Sequence, residues 1–220
     1  MATIEPAELC DRYEQLYTGL VTDVLDSLGY KDQTMDPDIS PIDRSQTVAG
    51  TAFPAIGRRN RGVDYDAQIR RFLRMLGEAP EHSCLVLNAN ADDSAQIGEL
   101  TTNALAAQGC RGVVSDGGIR DTQAVLDQGF PTFVRYRTPA DSIHRWELFD
   151  WDTTVVVGGV EVTPGDIVVA DIDGVAVVPE EIAEHVLVEA EEMRETEDSV
   201  REAITDGVSP EEAYDRHGTF

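Results

Sequence analysis

Arg111 to Gly129, RGVVSDGGIRDTQAVLDQG, is the stretch on which the reading of this chain turns. Its opening, Gly112-Val113-Val114-Ser115, is short, apolar and β-branched, the pattern of a strand buried in a parallel or mixed sheet. Asp116-Gly117-Gly118 is then expected to break the strand, because paired glycines permit backbone angles that other residues resist. A helix is predicted to follow, with Asp121 as its N-cap, Ala124, Val125 and Leu126 in its body and Gly129 as its stop. Arg120 and Asp121 thus stand where a strand gives way to a helix, the usual place for small-molecule chemistry in open α/β sheets. A guanidinium grips a carboxylate at two points, and a carboxylate holds a hard divalent cation, so together they suit a metal-chelated oxo-acid. The competing reading is plain: an Asp at an N-cap and an Arg beside it need no function at all.

Outward from this stretch the pattern repeats. Cys84 to Leu87 reads as a buried strand, Asn88 to Ser94 as a polar loop, and Ile97 to Gln108 as a helix ended by Gly109. Strand, loop, helix, strand, loop, helix argues for right-handed parallel crossovers and an α/β fold. Before it lie Leu9, Tyr13, Leu16, Leu20, Val24 and Leu28 at helical spacing, with Thr18 or Thr22 as a second helix cap. Residues 30–46 read as a loop, Thr47 to Phe53 as a strand with Pro54 to Gly62 leading away, and Tyr65 to Leu76 as an amphipathic helix. That helix sets Ile69, Phe72, Leu73 and Leu76 on one face and arginines on the other.

After Gly129 the chain turns β-rich. Strands are predicted at Phe130–Tyr136, Ile143–Phe149, Thr153–Val157, Val160–Val162, Ile167–Ala170 and Val175–Val178. Gly158-Gly159, Pro164-Gly165-Asp166 and Asp173-Gly174 supply the turns between the last four. A long acid-rich helix spans about 180–204, and Ser209-Pro210-Glu211-Glu212 carries the cap, proline and acid of a final short helix.

Charge excludes several partners. Against 17 basic residues stand 42 acidic ones, a net charge of −25. Such a surface repels nucleic-acid backbones and anionic membranes, so neither is expected as a direct partner. Lys31 is the only lysine. An acid-rich, lysine-poor globular sequence suggests the cytoplasm of a high-salt organism, where the Debye length falls to about 3 Å at 1 M. Arg58-Arg59-Asn60-Arg61 is the one basic patch, read either as a solvated loop or as a contact for an anion or an acidic neighbour. Cys10, Cys84 and Cys110 are scattered, without metal-ligand spacing, and read as buried reduced thiols. The charged N-terminus does not read as a signal peptide, and no segment reaches about 18 apolar residues. No repeat or linker divides the 220 residues, so a single domain over 1–220 is expected.

Glu99 and Gly98 open the helix before the central strand, and twenty residues separate Glu99 from Arg120-Asp121. Both helix N-termini face the carboxyl edge of such a sheet, so Glu99, Arg120 and Asp121 are expected to converge there. The free amides of Gly98 to Thr101 would favour a substrate carboxylate in the same crevice.

IGELTTNALAAQGCRGVVSDGGIRDTQAVLDQGFPTF (97–133) and GGVEVTPGDIVVADIDGVAVVPEE (158–181) resemble the RraA-like family. That family includes regulators of ribonuclease activity and class II 4-hydroxy-4-methyl-2-oxoglutarate aldolases. The resemblance covers about residues 15–205, leaving 206–220 as a short helical tail. It implies a swivelling β/β/α fold and homotrimers, in some relatives stacked as hexamers, with sites between subunits. By position it implies Asp121 as a direct ligand to Mg²⁺ or Mn²⁺, Arg120 as the holder of the oxo-acid and its developing enolate, and Glu99 as an acid that orients water on the metal. Gly98, Glu99, Leu100 and Thr101 would bind the pyruvyl carboxylate, Thr101 standing where many relatives have an aliphatic residue. Glu197 is the candidate acid lent by a neighbouring subunit's C-terminal helix. The implied chemistry is retro-aldol cleavage of an oxo-acid to pyruvate, with oxaloacetate decarboxylation at the same centre. A Schiff-base route would need a lysine in the crevice, and Lys31 reads as part of a polar loop. His82, His144, His185 and His217 lack ligand spacing. The rival implication is a non-catalytic regulator of a ribonuclease or helicase. A methyltransferase is disfavoured, because the glycine-rich nucleotide loop is missing.

Overall fold

A computed structural model of the protein describes residues 4–62 and 64–218, so the last two residues of the tail lie outside it. In chain order the strands are β1 (Ser40–Pro41), β2 (Val48–Arg59), β3 (Ser83–Asn88), β4 (Ala95–Ile97), β5 (Gly112–Ile119), β6 (Thr132–Arg137), β7 (Trp146–Trp151), β8 (Val155–Val157), β9 (Val160–Val162), β10 (Ile167–Asp171) and β11 (Gly174–Val178). The helices are α1 (Pro6–Tyr13), α2 (Thr18–Ser27), α3 (Tyr65–Gly77), α4 (Glu99–Ala107), α5 (Thr122–Gln128), α6 (Ala183–Thr205) and α7 (Pro210–His217).

Apolar runs become strands buried on both faces. β2, β3, β5 and β6 are parallel neighbours, joined by crossovers through α3, α4 and α5. β10 and β11 extend the sheet antiparallel beyond β2, and β1 flanks β6. With β4 on β5 and β7 on β2 this makes nine strands, curled until β1 and β11 meet. Period-two alternation then sorts side chains to the two faces. Leu85 and Leu87 pack outward with α3, α4 and α5, while Cys84 and Val86 turn inward to the β8–β9 hairpin. At the other edge Ile167 and Val169 meet α1, α2 and α6, and Val168 and Ala170 point inward. The architecture is the expected mixed α/β one with a long C-terminal helix.

Several local expectations hold for their stated reasons. Gly158 and Gly159 both take positive φ, 55° and 83°, in the two-residue hairpin turn. Ser209 Oγ accepts from the Glu212 amide and caps α7. All three cysteines are free and buried, and burial pushes each thiol's pKa up.

Others do not hold. Asp116-Gly117-Gly118 does not break the strand: β5 continues to Ile119, with its register to β6 shifting between Ser115 and Gly118. The shifted amides are satisfied locally, Gly117 N donating to Ser115 Oγ (3.0 Å) and Gly118 N to Gln96 Oε1 (3.2 Å). Pro54 does not end β2, which runs on to Arg59. The proline falls where β2 exchanges β10 for β7 on one edge, so its missing amide costs no ladder bond. Neither Thr18 nor Thr22 caps α2. Asp171, far along the chain, takes both the amide and the hydroxyl of Thr18 at 2.8 Å. Ile97 belongs to β4 rather than to the following helix, and the strand expected at 143–149 is displaced to Trp146–Trp151. The basic patch is solvated, as one of its two readings had it, though Arg58 and Arg59 belong to β2 rather than to a loop; Arg58 pairs with Glu147, Arg59 with Asp92, and Arg61 with Asp93 at the surface.

The described residues contain no helix long and apolar enough to cross a membrane. α6 alone carries Glu184, Glu189, Glu191, Glu192, Glu195, Glu197, Asp198 and Glu202, so repulsion between acids is built into the folded state. Screening is therefore expected to stabilise it: raising KCl from about 0.1 M to about 2 M should raise the melting temperature by roughly 5 °C or more. A thermal scan indifferent to salt would remove this reading.

Candidate active site

β4 ends at Ile97, and α4 begins after Gly98; β5 ends at Ile119, and α5 begins after Asp121. Because β4 and β5 are parallel and adjacent, the two strand-to-helix turns lie side by side. The Arg120 amide donates to the Ile97 carbonyl at 3.0 Å and ties them together. A Cβ on Gly98 would stand 3.1 Å from Asp121 Oδ2 and 3.4 Å from Arg120 Cγ, so this glycine is what lets the charged pair lie against the turn before α4. The first amides of α4 have no partner within the helix and give that turn its partial positive charge.

Asp121 departs from expectation. It holds the N-cap position of α5, but its side chain caps nothing, and its backbone is left-handed at φ 55°, ψ 29°. A non-glycine residue in that region carries strain of about 1–2 kcal/mol, least for Asp and Asn. Half of its side chain is exposed, and among the described residues it pairs with Arg120, Nε standing 3.6 Å from Oδ2. Arg120 reaches past it to Asp141, with Nη1 3.0 Å from Oδ2. Asp141 is oriented by the Ile143 amide, which donates to its Oδ1 at 3.1 Å.

Arg120 and Asp121 line a cavity of about 530 Å³ together with Gly98, Thr101 and Asp141, and on their other side a shallower hollow shared with Arg137. Leu100 lies at the mouth of the cavity, 81% exposed. α3 lines it as well, with Tyr65, Ile69, Phe72, Leu73 and Leu76 and the polar Gln68. Trp146 forms part of the lining; its Nε1 donates to the Ala89 carbonyl at 2.7 Å, and its ring meets Phe72 edge-on at 6.1 Å.

Of the residues singled out from sequence, Gly98, Leu100, Thr101, Arg120 and Asp121 share this cavity. Glu99 is exposed on the first turn of α4 and is not among the lining residues. Glu197 lies on α6, taking a hydrogen bond from the Tyr17 hydroxyl, and does not line the cavity of its own chain. Two lining residues had no usable signal. Asp141 sits in an irregular segment tied to Ala95 by a single bridge, and His144, at φ 67°, lies beside the Tyr65 ring at 5.8 Å. The stripe of α3 was legible as an apolar face, but not as the wall of a cavity.

Among the described residues no three His, Cys, Asp or Glu side chains gather as a metal cluster. A hard divalent cation needs less than that, since Mg²⁺ is commonly held by one or two carboxylates, waters and the substrate itself. The uncapped, half-exposed carboxylate of Asp121 at the head of a cavity fits that kind of site.

Known proteins share this frame. A protein of Halalkalibacterium halodurans, provisionally named a 4-hydroxy-4-methyl-2-oxoglutarate aldolase, is 29% identical over 92% of this chain and 91% of its own. An uncharacterised protein from Pseudomonas syringae pv. tomato superposes with a TM-score of 0.85 at 28% identity, covering 97% of this chain and 95% of that one. Streptomyces coelicolor RraAS2, described as an unusual member of the RNase ES inhibitor RraA protein family, gives 0.79 at 25% identity, covering 91% and 99%. The sequence profile of the RraA-like family (Aldolase/RraA) matches residues 7–177, from α1 into β11 and through both strand-to-helix turns, and the chain belongs to that family.

Proposed function

We propose that the protein is a divalent-metal-dependent carbon–carbon lyase that releases pyruvate from 4-hydroxy-4-methyl-2-oxoglutarate-type oxo-acids and decarboxylates oxaloacetate. The observation that carries this reading is Asp121. Its backbone is strained and its carboxylate caps no helix, yet it stands beside an arginine at the head of a cavity. Strain of that kind persists where a side chain is wanted for something other than the fold.

In this reading Asp121 holds Mg²⁺ or Mn²⁺ directly, Glu99 contacts its water shell, and Glu197 of a neighbouring subunit in a homotrimer, or in trimers stacked as a hexamer, contributes similarly. The cation supplies Lewis acidity toward a 2-oxo-acid. The chain's own groups do the rest. The amides at the start of α4 receive the substrate carboxylate. Arg120, kept in place by Asp141, offers its remaining N–H donors to the keto oxygen as negative charge gathers there. Lys31 is exposed and lies outside this cavity, which leaves a Schiff base without its amine. The net charge of −25 argues against nucleic acid and anionic membranes as partners.

The test is pyruvate release from oxaloacetate in molar KCl with Mg²⁺ or Mn²⁺, with and without EDTA, against a protein-free control. Chelator-sensitive turnover above that control is expected. Silence with both metals, and with 4-hydroxy-4-methyl-2-oxoglutarate, would favour a non-catalytic regulator of a ribonuclease or helicase. The inhibitor family of the Streptomyces coelicolor relative keeps that second reading in view. Arg120→Lys should lower kcat/KM about 10–100-fold, because an ammonium cannot hold Asp141 and present a planar fork to substrate at once. Unchanged kinetics in that variant would remove Arg120 from the mechanism.

A further inference from the structure

Three parallel strands end side by side at the carboxyl edge of the sheet, in the order β4, β5, β6. Ile97, Ile119 and Arg137 are direct partners across them. Gly98 and the first amides of α4 follow β4, Arg120 and Asp121 follow β5, and Arg137 closes β6. The Thr138 amide donates to the Ile119 carbonyl at 3.0 Å and fixes the end of β6 against the Arg120 turn. Arg137 shares with Arg120, Asp121 and Thr122 a hollow of about 350 Å³, on the far side of that pair from Gly98.

Arg137 is exposed, and its contacts set it apart in this acid-rich chain. Arg12, Arg58, Arg111, Arg120 and Arg135 each lie against a carboxylate. Among the described residues Arg137 pairs with none; its Nη2 donates to the Ile42 carbonyl at 3.1 Å, which steadies the side chain without neutralising it. A guanidinium held in that way keeps N–H donors for a carboxylate. The spacing suits one particular length of ligand. Neighbouring strands lie about 4.8 Å apart, so the α4 amides after β4 and the end of β6 stand about 10 Å apart. An extended five-carbon chain covers about 5 Å between its end carbons. Hydrogen bonds of about 2.8 Å at its two carboxylates cover the remainder.

Resting on the lyase reading above, we propose that Arg137 is the specificity-determining residue for the far carboxylate of a five-carbon dicarboxylate such as 4-hydroxy-4-methyl-2-oxoglutarate. The pyruvyl carboxylate lies on the α4 amides, the keto oxygen at Arg120 and the C5 carboxylate at Arg137. The C3–C4 bond breaks with its electron pair kept on C3 as the enolate. C4 becomes the ketone of a second pyruvate as its hydroxyl proton passes to water, and a solvent proton ends on C3. The carboxylate held by Arg137 leaves unchanged on that second pyruvate. In oxaloacetate the far carboxylate is instead the group lost as carbon dioxide. A grip on it there stabilises the substrate more than the transition state and gives no acceleration.

The experiment compares pyruvate release from 4-hydroxy-4-methyl-2-oxoglutarate and from the monocarboxylate 4-hydroxy-2-oxopentanoate, with Mn²⁺ present, in the parent protein and in Arg137→Gln. Calorimetric binding of 2-oxoglutarate and 2-oxopentanoate, neither of which is cleaved, is measured alongside, with molar mass by light scattering. The parent is expected to favour the dicarboxylates by about tenfold or more in kcat/KM and in Kd. Arg137→Gln should remove that preference, a loss of about tenfold or more carried by KM and Kd rather than by kcat. A preference unchanged in the variant overturns this inference and leaves the lyase standing. Pyruvate from neither substrate, with neither probe bound, fails the lyase reading and this inference with it. A variant whose molar mass changes while its preference does not would assign Arg137 to an acid of a second copy of the chain, and would also overturn it.

Discussion

Asp121→Asn is expected to abolish chelator-sensitive pyruvate release, by about a thousandfold or more, while leaving the melting temperature where it was. The functional loss follows from removing the half-exposed carboxylate proposed to hold a cation beside Arg120, while Asp141 stays engaged with the guanidinium; Lewis-acid assistance is worth several kcal/mol, and each 1.36 kcal/mol is about tenfold in rate. The structural indifference follows from geometry. An N-cap that accepted a helix amide would cost about 1 kcal/mol to lose, but Asp121 accepts none. Asparagine also tolerates the left-handed backbone at φ 55° nearly as well as aspartate, whereas alanine would add strain. Activity assays and thermal scans on one preparation separate the two effects. A melting temperature several degrees lower with turnover intact would make Asp121 a structural residue after all.

Gly57→Ala should produce the largest loss of stability, and it acts on the cavity from behind. The added methyl would lie 2.0 Å from Trp146 Cζ2, well inside contact distance. That ring has little room to give: it is 2% exposed, held by the Ala89 carbonyl and set edge-on against Phe72. Gly57 stands at the register shift between β2 and β7, so the backbone there is already committed to the bulge. Overpacking of this severity costs about 3 kcal/mol, equivalent to roughly 6–12 °C in melting temperature for a chain of this size. Near-ultraviolet circular dichroism should register the displaced indole. Weakened binding of 2-oxo-acids should accompany it, because Trp146 lines the same cavity as Arg120. A variant melting within a degree of the parent would show that Trp146 can swing aside.

Much of the fold was legible from residue order because it is set by short-range rules. The runs Cys84–Leu87, Gly112–Ser115, Ile167–Ala170 and Val175–Val178 are too apolar to sit anywhere but in strands with both faces covered, and they do. Gly158-Gly159 and the Ser209 cap act within a few residues, so composition alone names them. The strand–helix rhythm around Arg111–Gly129 likewise placed Arg120 and Asp121 at a sheet edge, and Gly98 beside them.

What residue order could not reveal depends on partners distant in the chain. Gly117 and Gly118 suggested a break, yet β5 carries through them, because Gln96 and Ser115 satisfy the shifted amides and the Tyr136 ring lies where a Gly118 Cβ would be. Pro54 suggested an end to β2, yet the strand there is changing neighbours and needs no amide. Thr18 was offered as a cap and is instead capped by Asp171. The apolar stripe of α3 reads from sequence as a buried face; only the placement of α3 across from α4 and β7 turns part of it into the wall of a cavity. Asp121 divides the two: sequence assigned it both a helix to cap and a place beside Arg120 at the sheet edge, and the structure keeps the place but not the cap, its backbone left-handed and its carboxylate lining the cavity with Arg120. Local propensity determined which segments are strands and helices, while the use of each polar group was decided by tertiary packing, since a hydrogen bond or ion pair acts over a few ångströms of space whatever the separation in sequence.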